Sequence, residues 1–257
     1  MDLGRPVRTL FLLGTDTGVG KTTLAAGLLT LACQLGVPLA PFKPIESGTL
    51  PGSSDSDGDR LLRASGLQDL SPADVTPYRL ARPLAPGLAA RLESRVVSPP
   101  ALLAAAMRLL DRYPALVVES AGGLLSPHGR HGTPTSLARD LAHLVALDTL
   151  VVTPNRLGAI NQTALAQLAI ERFRLPCAGV VLVDLDPEPD PARDFNPSEI
   201  AAATGLPVLG RLPYLGRSSS PAQAAAAIRQ HIDLAPLCSG ALATAPAPAG
   251  GPPEGPF

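Results

Sequence analysis

The sequence predicts an α/β protein: one domain with an open parallel sheet and helices on both of its faces. Three features lead there. Short apolar runs alternate with stretches of helical period along most of the 257 residues. The chain is 46% hydrophobic yet only 3% aromatic and has no Trp, so its core rests on Leu, Val, Ile and Ala, the residues of helices packed on a parallel sheet. The length also suits a single domain of this kind.

Taken in order, Thr9–Leu13 is an apolar run bounded by Gly14 and reads as a buried strand. Thr22–Leu35 places Leu24, Leu28, Leu31 and Leu35 at helical spacing, and Gly36 stands where a helix end favours positive φ. Val37–Phe42 reads as a second strand, at an edge because of Pro38 and Pro41. Thr49–Asp59 is polar and glycine-bearing, hence a loop, and Arg60–Ser65 is a short helix closed by Gly66. Helices are expected over Ala101–Arg112, Thr135–Val145, Ile160–Phe173 and Pro221–Ile232. Strands are expected over Ala115–Val118 (ending in Glu119), Leu147–Thr153, Ala178–Val183 and Pro207–Leu212. Residues 1–236 form the domain; 237–257 is a tail whose Ala, Pro and Gly content implies disorder.

Composition excludes several classes of function. A net charge of -1 offers no basic field for nucleic acid or an acidic membrane surface. Cys33, Cys177 and Cys238 show no paired spacing and read as thiols in a reducing compartment. No apolar run approaches the ~20 residues of a membrane span, and the N-terminus leads straight into a strand rather than an export signal. These features describe a soluble cytoplasmic protein.

Of 21 basic residues only Lys21 and Lys43 are lysine. Lys21 ends the loop Gly14-Thr15-Asp16-Thr17-Gly18-Val19-Gly20-Lys21-Thr22, between the first strand and the first helix. That arrangement presents backbone N–H groups, a helix N-terminus, a compact ammonium and a hydroxyl to phosphate and its Mg²⁺. The first glycine stands one position earlier than in the common pattern, which has Gly where this chain has Thr15. Mg²⁺ takes oxygen ligands and usually one or two protein carboxylates. Glu119, expected at the C-terminal edge of the sheet, is the first candidate. Asp57 is the second, with Asp55 and Asp59 competing in the same loop.

The loop, followed by Lys43-Pro44-Ile45-Glu46-Ser47-Gly48 and by Glu119-Ser120-Ala121-Gly122-Gly123, closely resembles dethiobiotin synthetase. Later matches are Gly158-Ala159-Ile160-Asn161 and the run from Pro207 to Pro213. The resemblance implies a homodimer of P-loop NTPase-like domains that uses ATP, Mg²⁺ and CO2 (from bicarbonate) to close a cyclic urea on 7,8-diaminononanoate. By position it implies Lys21 and Lys43 as catalytic cations, and Thr22, Asp57 and Glu119 as the Mg²⁺ site. Thr17, Gly18, Val19, Gly20, Lys21, Thr22, Asp57, Glu119, Gly122, Asp184, Pro213, Tyr214 and Leu215 are implied around the nucleotide. Thr17, Lys43, Ser47 and the segment Gly158, Ala159, Ile160 and Asn161 are implied for the substrate, the last four acting across the dimer interface.

The chain departs from the family pattern at Ser120, where Gly is usual, and at Pro86-Gly87, where Pro-His is frequent. At the end of the strand Ala178–Val183, Val183 replaces an Asn that faces the nucleotide base, which relaxes the preference for adenine and admits CTP or other triphosphates. The related partitioning-type ATPases are the alternative, but they carry a second lysine at the start of the loop, which is missing here. His128 and His131 have metal-like spacing without a third ligand, as expected of a surface loop.

Overall fold

The structure is a computed structural model that describes residues 8–50, 52–130, 132–216 and 218–238. In chain order the elements are β1 (Thr9–Gly14), α1 (Lys21–Gln34), β2 (Ala40–Phe42), β3 (Ile45–Ser47), α2 (Asp57–Ser65), α3 (Pro72–Val75), β4 (Tyr78–Leu80), α4 (Pro86–Leu92), α5 (Pro99–Leu110), β5 (Leu116–Gly123), α6 (Pro134–Ala142), β6 (Leu147–Pro154), α7 (Ala159–Phe173), β7 (Cys177–Val183), α8 (Ala192–Thr204), β8 (Val208–Leu212), α9 (Pro221–His231) and α10 (Ala235–Cys238). Six strands form one sheet in the order β2-β5-β1-β6-β7-β8, every pair parallel. β1 lies between β5 and β6, so the chain reverses its direction of travel across the sheet there. Such a switch point opens a crevice at the C-terminal ends of the strands.

Side chains of β1 alternate between the faces, as a strand's period of two requires. Phe11 and Leu13 join the cluster under α5–α8 with Leu102, Leu137, Ile170 and Ile200. Leu12 joins the other cluster with Leu24 and Leu28 of α1, Leu61 of α2 and Ile228 of α9. The expected α/β sheet with helices on both faces is present.

Helix and strand limits mostly agree with the sequence within two or three residues, the scale on which ends fray. The larger differences have local causes. Only Ala40–Phe42 of the second expected strand is extended, and it is an edge strand pairing with β5 alone, which tolerates Pro41. α2 begins at Asp57 rather than Arg60 because Ser56 caps it: its Oγ accepts from Asp59 N–H at 3.1 Å while Ser56 N–H donates to Asp59 Oδ2 at 3.2 Å. β5 continues beyond Glu119 to Gly123. The small parallel pair β3–β4 and the helices α3 and α4 are too short to show a period.

α8 escapes the sequence reading because Pro197 lies inside it. A proline there cannot donate to the carbonyl four residues back. Asn155 Nδ2 donates to that carbonyl, of Arg193, instead, at 3.4 Å. Among the described residues no helix is long and apolar enough to cross a membrane. Of the expected tail 237–257, Leu237 and Cys238 belong to α10, and 239–257 lie outside the described residues.

Candidate active site

The loop between β1 and α1 wraps around the Lys21 side chain. Gly18 and Gly20 take positive φ (72° and 93°), and Gly20 caps α1 without any side chain, so the first amides of the helix remain open to an anion. Lys21 Nζ donates to the carbonyls of Asp16 at 2.8 Å and Gly122 at 2.9 Å. A Cβ on Gly14 would overlap Nζ and lie 2.8 Å from the Asp16 oxygen, so the early glycine of the loop makes room for the lysine. Burial lowers the Lys21 pKa to about 8, against the pull of Glu119.

Glu119 faces the same side of the sheet as Val117, two residues earlier, and so points toward the start of α1. It is not a solvated strand-end carboxylate but 1% exposed. Its Oε1 accepts from Thr22 Oγ1 at 2.8 Å and from Lys43 Nζ at 2.6 Å, while Oε2 is buried without a partner. Lys43 follows β2, whose Phe42 pairs with Val118, which sets the lysine beside Glu119. Its Nζ also donates to Asp57 Oδ2 at 2.9 Å. Burial by itself lowers the Lys43 pKa, but the charges of Glu119 and Asp57 more than offset this and hold it above the ordinary lysine value. Burial pushes Glu119 up, with Lys43 pulling against it.

The three acids at the start of α2 have separate fates. Asp55 pairs with Arg63 at the surface at 3.2 Å. Asp59 is taken by the Ser56 cap and by Arg79 at 2.6 Å. Asp57 alone faces Lys43, held below the usual carboxylate range by Lys43 against the effect of burial. Glu46 of β3 positions it: Oε1 accepts from Asp57 N–H at 2.7 Å and Oε2 from Gly58 N–H at 3.2 Å, so a carboxylate seats the N-terminus of α2. Sequence reasoning passed over Glu46, although it sits inside the Lys43–Gly48 motif.

A cavity of about 360 Å³ collects Thr17, Gly18, Gly20, Lys21 and Thr22 with Lys43, Ser47, Asp57, Glu119 and Gly122, and also Glu46 and Arg60. Val19 is buried in the core instead. Asp184 is anchored elsewhere: Oδ1 accepts from Asn155 Nδ2 at 3.1 Å and Oδ2 from Arg211 Nε at 2.8 Å. Val183 packs under the loop, where a Cβ on Gly20 would come within 2.7 Å of its Cγ1. Pro213, Tyr214 and Leu215 follow β8 half-buried. Gly158 starts α7 at φ 95° without a side-chain cap, Ala159 is buried, and Ile160 and Asn161 are exposed. A larger cleft of about 770 Å³, among Arg8, Leu147 and Pro176, lies at the N-terminal ends of the strands and contains none of these residues.

The oxygen donors Thr22, Asp57 and Glu119, with the unpartnered Glu119 Oε2, fit a magnesium ion that shares phosphate oxygens. Among the described residues no group of three or more His, Cys, Asp and Glu could hold a metal. His128 is buried rather than on a surface loop: one ring nitrogen lies 3.5 Å from the Ala121 carbonyl and Nδ1 has no partner. His131 lies outside the described residues.

Residues 8–222 match a family model described as an AAA domain. The chain is 44% identical over 208 residues, 81% of its length and 91% of the relative's, to the ATP-dependent dethiobiotin synthetase BioD of Anaeromyxobacter sp. (strain K). It is 33% identical over 228 residues, 89% and 94% of the two lengths, to the protein of that name in Bacillus licheniformis. Among solved structures a ParA family ATPase from Chlorobium tepidum shares the fold, with a TM-score of 0.50 and 15% identity over 88% of this chain and 93% of that one. With a phosphate loop, two converging lysines and relatives that match most of its length, the chain belongs to the ATP-dependent dethiobiotin synthetase family.

Proposed function

We propose that this protein is a cytoplasmic, homodimeric ligase of biotin biosynthesis that forms dethiobiotin, ADP and phosphate from 7,8-diaminononanoate, CO2 and ATP. The observation that carries the reading is the convergence of Lys21, Lys43, Thr22, Asp57 and Glu119 on one cavity. One substrate amine adds to CO2 and loses a proton, giving a carbamate. A carbamate oxygen displaces ADP from the terminal phosphorus of ATP. The second amine then attacks the carbonyl carbon of the mixed anhydride, loses its proton, and phosphate leaves as the ring closes.

Charge builds on the transferring phosphoryl oxygens, where fixed cations act most strongly because they need no reorganisation. Lys21 and the open amides of α1 hold the β- and γ-phosphates. Lys43 serves the carbamate and the γ-phosphate. Thr22, Asp57 and Glu119 would hold Mg²⁺, which when bound neutralises phosphate charge. Thr17 and Ser47 face the diamine and carbamate.

The base rests against Pro213, Tyr214 and Leu215, a wall braced by the Asp184–Arg211 ion pair. Val183 offers the base no amide, which admits triphosphates other than ATP. The segment Gly158–Asn161, at the start of α7, takes the substrate carboxylate from the partner subunit, helix amides being a natural seat for it. Exposed Leu157, Ile160, Leu165 and Leu168 on and beside α7 support that interface.

Incubating the full chain with diamine, bicarbonate, Mg²⁺ and ATP is the test. Dethiobiotin in step with ADP is expected; ADP release without a ring product overturns the reading.

A further inference from the structure

Arg60 has no part in the function proposed above, yet it lines the same cavity as Lys21, Lys43 and Thr22. It is the fourth residue of α2 and half-buried. A cation there stands against the positive end of its own helix, an arrangement offset by the attraction of Asp57 one turn earlier. The other arginine of this helix, Arg63, pairs with Asp55, and Arg79 of β4 pairs with Asp59. The Arg60 side chain forms no hydrogen bond or ion pair with any described residue.

Charge in the cavity gives the guanidinium a task. Glu46, Asp57 and Glu119 bring three carboxylates to it, and Lys21 and Lys43 bring two ammonium groups. By formal charge, Arg60 brings the lining from two cations against three carboxylates to three against three. Both carboxylates of the Lys43 site already draw on that lysine at 2.9 Å and 2.6 Å, whereas Arg60 adds only a longer-range attraction to Asp57 and its fork has no hydrogen-bond partner among the described residues. A planar guanidinium is suited to two oxygens of one phosphate.

We propose that Arg60 binds the terminal phosphoryl group of the bound triphosphate and stabilises it during transfer, a third cation supplied within the same chain. The inference rests on the phosphoryl-transfer reading of the site but not on the identity of the acceptor.

The test compares full-length wild type, Arg60→Gln and Arg60→Lys, binding ADP and a non-hydrolysable ATP analogue in the presence of Mg²⁺ by calorimetry. Arg60→Gln is expected to weaken the triphosphate about tenfold or more, the scale of one charge-assisted hydrogen bond, and ADP less than about twofold. Arg60→Lys should recover part of the difference, and unfolding curves identify any variant that is not native. Equal losses for both nucleotides, or none, overturn the proposal. If the wild type shows the Arg60-dependent preference but makes no dethiobiotin, the substrate assignment fails and this inference stands. If dethiobiotin forms and Arg60→Gln keeps the wild-type preference, this inference alone fails.

Discussion

A carboxylate as buried as Glu119 is held in the sheet mainly by Lys43, which stands against it at 2.6 Å, with Thr22 and the charge of Lys21 in support. Replacing Lys43 by Ala leaves that charge uncompensated, a change on the order of 3–5 kcal/mol in stability for buried pairs. Lys43→Arg keeps the charge but replaces a compact point cation with a flat fork. Its ring-closing rate is expected to fall about 10²-fold or more, the scale of a lost oxyanion contact, while nucleotide affinity changes little. Steady-state kinetics beside calorimetry check this; equal losses would remove the role given to Lys43. His128 makes a second prediction. Burial lowers its pKa from 6.5 to about 4, so between those values the unfolded chain binds the proton that the folded chain refuses. Stability from this group is therefore complete above pH 6.5 and lost as pH falls toward 4, amounting to about 2 kcal/mol between pH 7 and 5. Urea unfolding of His128→Gln at the two pH values should show a correspondingly smaller difference than the wild type.

At the scale of elements, α1 carries the phosphate loop at one end and packs on α9 along its length. Gly27 allows that approach: a Cβ there would come within 2.5 Å of Ile228 Cδ1 and 2.9 Å of Ala224 Cβ. Gly27→Val is expected to cost about 1–3 kcal/mol through overpacking, despite the better helix propensity of valine, read as a lowered Tm by calorimetry. α2 is set by two independent devices, the Ser56–Asp59 capping box and the Glu46 carboxylate on its first amides. Together they aim Asp57 into the cavity and leave Asp55 and Asp59 to arginines. In the sequence, spacing to the Leu61-Leu62 pair favours Asp57 over Asp55 and Asp59 only modestly. The cap that separates them was present in the sequence, since Ser56 stands three residues before Asp59, but the polar run around it read as loop.

The whole molecule places the two lysine motifs and the Glu119 motif at one crevice because β5 inserts between β1 and β2. Beside that crevice α7 exposes Leu165 and Leu168, 59% and 62% accessible. If this is the dimer face, a double Leu165→Glu, Leu168→Glu variant should sediment as a monomer and lose ring closure while retaining nucleotide binding. An unchanged sedimentation coefficient would place the subunit interface elsewhere.

The sequence alone determined the α/β class, the phosphate loop, the pair of lysines and the family, because these depend on local periodicity and on motifs within short stretches. It also made Glu119 the first metal candidate and set Gly14 apart from the common loop pattern. Only the tertiary structure decided that Glu119 is buried, that Asp57 rather than its neighbours meets Lys43, that Glu46 seats α2, and that Arg60 lines the cavity without a hydrogen-bond partner among the described residues. Each of these depends on which strand lies beside which, and on who neutralises a charge once water is excluded. Residues far apart in the chain settle that, so no local pattern contains it.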